Sequence, residues 1–378
     1  MTLWREATGA PAKTEDVHDW LELSLVPGIG PKSFFKLIDF FGSARKALDA
    51  SESALRNIPD LPAHAVRALR AGAKDPLDRA LKSIEQHNVS LLCFNDPAYP
   101  DRLRHICDPP PLLYVKGGLA PEDLNSISIV GTRRATHYGK TAAVKLAGDL
   151  ARLGVTIISG LAYGIDAAAH KGALDAGGRT LAVLGCGVDV VYPRSNEKLY
   201  EQIPASGAVI SELPMGTQPD PGFFPMRNRI VSGISLGTLV IEAPLKSGAL
   251  ITARYALEHG REVFAVPGSI FSPYNEGCHK LLKDGAKLVE NVYDIIAEVE
   301  RNIEGNAPPD QEPATPKEIP LKPDEKKIFN FLSMVPAHID MIGEECGLSA
   351  SQTAAALMVL EIKGLAQQLS GKMFIRRM

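Results

Sequence analysis

Between Ser126 and Val266 short apolar runs recur, each followed by a stretch with helical spacing, and this alternation restricts the fold more than any other property of the chain. The runs are Ile127-Ser128-Ile129-Val130-Gly131, Val155-Thr156-Ile157-Ile158-Ser159-Gly160, Thr180-Leu181-Ala182-Val183-Leu184-Gly185, Ala208-Val209-Ile210, Thr238-Leu239-Val240-Ile241 and Glu262-Val263-Phe264-Ala265-Val266. A strand with one wet face would alternate polar with apolar residues. These do not, so they predict a parallel sheet covered on both faces, with helices expected over 138–153 and near 165–176. The fold class is α/β, a Rossmann-like, mostly parallel sheet with helices on both faces.

The rest of the chain hangs on this block. At 378 residues it exceeds one compact core, so two or three domains are expected. Residues 1–20 are polar and read as a loose N-terminus. Residues 21–88 read as a helical, helix-hairpin-helix (SAM-like) domain: two short helices over 21–50 flank Val26-Pro27-Gly28-Ile29-Gly30, and one more helix covers 75–87. The backbone N–H groups of such a hairpin can meet a DNA phosphate; its glycines can equally serve only a tight turn. Asn57-Ile58-Pro59-Asp60-Leu61-Pro62 is a second hairpin without the glycines. The Rossmann-like domain spans 89–300, opening with strands at Val89-Ser90-Leu91-Leu92-Cys93-Phe94 and Leu112-Leu113-Tyr114-Val115 around a proline-rich loop. Residues 301–322 are a charged, proline-rich linker that cannot form a core. In 323–378, three helical patterns and a terminal hairpin predict a winged-helix domain. Its supposed recognition helix has no positive charge before Lys363. That points to protein contact, or to weak DNA contact through Lys372, Arg376 and Arg377.

Net charge is −3, so nucleic-acid binding would need a local cationic patch in a groove. Five scattered cysteines without C-x-x-C spacing indicate neither zinc nor a disulfide framework, and no cofactor is implied. No apolar run approaches the roughly 18 residues of a membrane helix, and 1–20 has no signal-peptide pattern, so a cytoplasmic location is expected. A Walker loop, a Ser-His-Asp order and a paired-carboxylate pattern are all absent.

The turn after the first run, Gly131-Thr132-Arg133-Arg134, puts two arginines where a dinucleotide site needs glycines, which favours phosphate in an open groove. Ser159-Gly160 has small residues suited to close backbone approach. Asp166 and His170 stand i, i+4 but read as a helix cap and a packed ring rather than metal ligands. Cys186 reads as a small core residue, and Tyr192-Pro193-Arg194-Ser195-Asn196 adds Arg194 near the same edge. The stretch Phe223-Phe224-Pro225-Met226-Arg227-Asn228-Arg229-Ile230 sets aromatic rings beside cations, a pairing that stacks bases without sequence preference, although one ring, Phe223 first, suits the core. Glu242, at a strand end, is expected to pair with Arg227 and Arg229 and hold them. Replacing Arg133 and Arg227 together is expected to flatten the salt dependence of binding and leave the fold intact.

With Ser211-Glu212-Leu213-Pro214, Ser247-Gly248-Ala249-Leu250-Ile251-Thr252-Ala253 and Gly260-Arg261-Glu262-Val263-Phe264-Ala265-Val266-Pro267-Gly268, these words resemble the DNA processing protein A (DprA, or Smf) family over most of 112–290. The resemblance implies a non-catalytic, homodimeric protein that binds single-stranded DNA, protects it and loads the RecA recombinase onto it during natural transformation. It assigns phosphate contacts to Arg133, Arg194, Arg227 and Arg229 and a base contact to Phe224. Gly131, Thr132, Ser159, Gly160, Asn228, Ser247 and Gly248 would line the groove. The alternative is a phosphoribohydrolase acting on nucleoside monophosphates, which are similar in fold. Those enzymes carry a glutamate in the loop that here reads Pro244-Leu245-Lys246-Ser247-Gly248, and no glutamate follows Gly248 before Glu258.

Overall fold

The computed structural model describes residues 17–72, 74–299, 321–333 and 336–376. The chain divides into two compact units.

The larger unit is built on a nine-stranded sheet. Its strands are β1 (Val89–Cys93), β2 (Leu112–Gly117), β3 (Ser126–Val130), β4 (Thr156–Ser159), β5 (Thr180–Val183), β6 (Ala208–Ser211), β7 (Gly237–Val240), β8 (Glu262–Ala265) and β9 (Lys287–Leu288). Their spatial order is β1-β2-β6-β5-β4-β3-β7-β8-β9. From β3 the chain winds outward through β4, β5 and β6, then returns to set β7 on the other side of β3. All pairings from β6 to β9 are parallel, whereas β1–β2 and β2–β6 are antiparallel. β3 to β7 are buried along their whole length, as expected of a sheet covered on both sides.

The expected strands therefore form, and the two early ones join the same sheet as its antiparallel edge. The helices after β3 and β4 run His137–Arg152 and Ile165–Asp175, within a residue of expectation. β9 was not anticipated; its two residues are exposed and carry no periodic signal.

The N-terminal helices start at Val17, inside the stretch expected to be loose, while residues 1–16 lie outside the described residues. Trp20, Leu21 and Leu23 of the first helix bury against Phe34 and Leu37 of helix Pro31–Phe41, and this cluster runs on into Leu112 and Tyr114 of β2. The helical region thus shares a core with the sheet edge. Gly28 in its first hairpin takes φ +87°, and a Cβ there would stand 2.5 Å from the His64 ring. The turn and its packing are enough to require that glycine.

The smaller unit has helices Pro323–Phe331, Ile339–Cys346 and Ala350–Ile362, and a three-stranded sheet of β10 (Ala337–His338), β11 (Ala366–Leu369) and β12 (Met373–Arg376) in the order β10-β12-β11. This is the winged-helix arrangement around Ile328, Ile342, Leu357, Leu360 and Phe374. Ser349 and Gln352 cap the third helix reciprocally, the Gln352 N–H meeting Ser349 Oγ at 3.4 Å and the Ser349 N–H meeting Gln352 Oε1 at 3.1 Å. Lys363 is tied to the buried Glu325 carboxylate at 2.6 Å, and the Arg376 guanidinium covers the Phe329 ring at 3.8 Å. Met358 and Ile362, 65% and 76% exposed, leave an apolar stripe on the third helix. Arg377 and the 301–320 part of the linker lie outside the described residues.

Candidate nucleic-acid interface

In an open parallel sheet the carboxyl ends of neighbouring strands separate where the winding direction reverses, and that opening is where ligands bind. Here the reversal falls between β3 and β7. The loops after β3, β4 and β7 and the start of helix Phe223–Ile234 surround a cleft of about 580 Å³ at that point.

Of the residues singled out from sequence, Gly131, Thr132, Arg133, Gly160, Phe224, Arg227, Asn228, Ser247 and Gly248 line this cleft. Ser159, Arg194 and Arg229 do not. Ser159 is fully buried at the end of β4, its hydroxyl donating to the Ile129 carbonyl at 2.6 Å. Arg194 sits exposed in a short turn outside the cleft. Arg229 is buried in an ion pair with Glu212, and its second guanidinium nitrogen has no hydrogen-bond partner among the described residues. Burial pushes the Glu212 carboxyl up, and the Arg229 charge and hydrogen bond oppose that shift.

Arg227 lines the cleft but is already engaged. One guanidinium nitrogen donates to the Gly160 carbonyl at 2.7 Å and to the Val183 carbonyl, and Nε reaches Asn228 Oδ1 at 3.2 Å. It is 5% exposed, and burial lowers its pKa against the pull of the Asp166 charge. Arg227 therefore fastens helix Phe223–Ile234 to the ends of β4 and β5, and the expected phosphate role does not fit its hydrogen bonding. Gly160 is dictated by this contact, since a Cβ there would lie 2.4 Å from the guanidinium. Asn228 completes the brace by donating to the Gly248 carbonyl at 3.3 Å. Helix phase could have revealed the burial of Arg227, because Ile230, Val231 and Ile234 lie three, four and seven residues on and are all buried.

Asp166 and His170 support the same loops. Asp166 is no helix cap: its Oδ2 accepts the Gly160 N–H at 3.2 Å and the Ala162 N–H at 3.4 Å in the loop before its helix. Burial raises its pKa, with Arg227 opposing. His170 Nδ1 meets Thr180 Oγ1 at 2.7 Å, and burial lowers the ring to about 3. Burial likewise lifts the Cys186 thiol to about 11. No group of side chains suited to a metal occurs among the described residues. Glu242 does not meet the expectation either. Its carboxylate lies against Gly139, 2.3 Å from where a Cβ would stand, and the partner of Arg229 is Glu212.

The exposed cations form the other half of the site. Arg133, Arg134 and Lys246 project at the cleft from the loops after β3 and β7. Thr132 shapes the first loop, its N–H donating to the Glu242 carbonyl at 2.6 Å and its hydroxyl accepting the Arg134 N–H at 3.2 Å. Ser247 caps helix Gly248–Glu258 by accepting the Ala249 N–H at 3.2 Å, so that helix presents its N-terminus to the cleft. The Arg133 guanidinium stands 5.0 Å from the centre of the Phe224 ring, and Tyr192 packs on the same ring at 5.6 Å and 31°. Phe223 and Phe224 are both half-buried. Lys246, Arg134 and Tyr192 stood inside motifs the sequence had marked, yet nothing local told them apart from their neighbours. The arrangement offers three exposed cations, a helix N-terminus and aromatic surface along one open cleft: the elements of a phosphate-bearing, base-bearing ligand site.

Residues 90–300 match the family model of DNA recombination-mediator protein A, residues 14–79 a DprA-like N-terminal HHH domain, and residues 312–372 a DprA winged helix domain. The chain is 36% identical over 399 residues to the protein Smf of Synechocystis sp., covering 97% of this chain and 100% of that one. Its structure is similar to that of DNA processing protein A from Streptococcus pneumoniae, with a TM-score of 0.66 and 33% identity over 76% of this chain and 99% of that one. It is also similar to DNA processing protein A from Helicobacter pylori, a structure concerned with that protein's single-stranded DNA binding mode, with a TM-score of 0.50 and 31% identity over 57% of this chain and 96% of that one. With a family model matched over more than half its length, the chain belongs to the DNA recombination-mediator protein A (DprA/Smf) family.

Proposed function

We propose that this chain binds single-stranded DNA in the cleft between β3 and β7, protects it, and loads the RecA recombinase onto it in transformation and recombination. The observation that carries this reading is the pairing of exposed cations with aromatic rings on one open cleft: Arg133, Arg134 and Lys246 beside Phe224 and Tyr192. A mononucleotide site needs enclosure and a positioned acid or base. Among the cleft-lining residues Asp166 is the sole carboxylate, and it is occupied by two loop amides. That favours a binding protein over a nucleoside monophosphate hydrolase. Family membership supports the same choice, since the Helicobacter pylori relative is described by its single-stranded DNA binding mode.

The finer parts of the proposal are that the chain acts in the cytoplasm as a homodimer through the Rossmann-like unit. No described helix is long and apolar enough to cross a membrane. The winged-helix unit is assigned to protein contact, because the exposed side of its third helix is apolar at Met358 and Ile362 and Lys363 is paired.

The test is binding of labelled oligo-dT at low and high salt, run beside nucleoside monophosphate turnover. Salt-sensitive oligonucleotide binding without base release is expected. Steady turnover abolished by Asp166→Asn would reverse the choice.

A further inference from the structure

Phe224 was the ring expected to meet a base, but it is half-buried and already flanked by the Arg133 guanidinium and the Tyr192 ring. A base inserted between Tyr192 and Phe224 would need two van der Waals gaps, roughly 7 Å in all, and the rings stand 5.6 Å apart. The apolar ring surface left to a ligand lies elsewhere. Tyr192 is 37% exposed and Tyr163, from the loop after β4, is 47% exposed. Both line a small pocket beside Arg133 and Phe224 that adjoins the main cleft, and Tyr192 lines the two together. Tyr192 has the Phe224 ring packed behind it.

We propose that Tyr192 and Tyr163 are the base-stacking residues of this site: a strand passing Arg133 lays a base on the outer face of Tyr192, and Tyr163 takes an adjoining base. Phe224 then supports Tyr192 and holds the Arg133 guanidinium. This rests on the strand-binding reading above and adds the residues that contact bases. Stacking on a π-face tolerates any base, so the site discriminates bases from their absence and not one base from another.

The experiment measures affinity of the full chain for oligo-dT and for an abasic strand of equal length. Tyr192→Ala is expected to weaken oligo-dT binding about tenfold, Tyr163→Ala somewhat less, and Tyr192→Phe to restore what Tyr192→Ala loses. The losses should vanish on the abasic strand, and the salt slope should stay at its original value, since every phosphate-binding cation is still in place. Unchanged oligo-dT affinity in Tyr192→Ala, with Arg133→Ala still weakening binding, overturns the stacking assignment and leaves the strand-binding reading standing. Equal losses on abasic and normal strands overturn it as well. A wild-type chain that binds neither strand removes both readings together.

Discussion

Arg227 and Arg133 stand at one cleft, carry one charge each and come from motifs of similar appearance, yet the fold uses them in opposite ways. Arg227 is buried, spans the Gly160 and Val183 carbonyls and sits near Asp166. Arg133 is exposed and lies against the face of the Phe224 ring. Arg229 belongs with the first, Lys246 with the second. The difference teaches that a cationic motif is not a count of phosphate ligands. A guanidinium whose donors are satisfied by carbonyls in a dry site holds the architecture, and one in water is free for a ligand.

The sharpest way to break this contrast is to remove the inner arginines. Arg227→Met should destabilise the chain by about 3–5 kcal/mol, because it strands two buried carbonyls and leaves Asp166 without its nearby charge. Arg229→Met should cost about as much by leaving Glu212 buried and unpaired, and Arg229→Met with Glu212→Leu should recover most of that loss. Urea denaturation reads both. The double change Arg133→Ala with Arg227→Ala, expected from sequence to spare the fold, is now expected to compromise it through Arg227 alone.

A second effect comes from beneath the cleft. His170 stays neutral down to about 3 in the folded chain against 6.5 when unfolded. Its contribution is therefore complete above about pH 6.5 and is lost as the pH falls from there toward 3, at no more than about 1.4 kcal/mol per pH unit. His170→Gln should make the acid limb of the stability curve shallower; an unaltered limb would remove His170 from the account.

Smaller again is Gly160→Ala, about 1–3 kcal/mol, because the added carbon meets a guanidinium that its hydrogen bonds keep in place. Smallest in stability is Arg133→Ala with Lys246→Ala, expected within about 0.5 kcal/mol of the parent. That variant should nonetheless lower the salt slope of oligonucleotide binding by about 0.7 for each phosphate the chain no longer neutralises. A destabilised Arg133→Ala chain or a robust Arg227→Met chain would erase the distinction between the two groups.

How much of this was legible beforehand follows from the range of the interactions. The runs forming β3 to β8 are apolar because both their faces are covered, so burial wrote itself into local composition. That β1 and β2 extend the same sheet depends on the pairing of Tyr114 with Ser211, across almost a hundred residues, and has no local trace. The site was legible as a gathering of loops, since its strand ends and glycines stand in order along the chain. Which arginine faces water was legible only in part: helix phase marks Arg227 as inward-facing, but the groups that engage the inner arginines, Gly160 and Val183 for Arg227 and Glu212 for Arg229, come from other segments and leave no trace beside them. Tyr192 and Tyr163 were hidden for a similar reason: exposure of a ring depends on what packs behind it.

The central claim is that the β3–β7 cleft, rather than the hairpin at Gly28 or the winged-helix unit, holds the strand. Amide hydrogen exchange of the full chain with and without oligo-dT tests it most directly. The account predicts that protection on binding concentrates in residues 131–134, 160–163 and 246–249, with little change over 26–31 or 349–376. Protection confined to either of those last two segments, with the cleft loops exchanging as before, would contradict it.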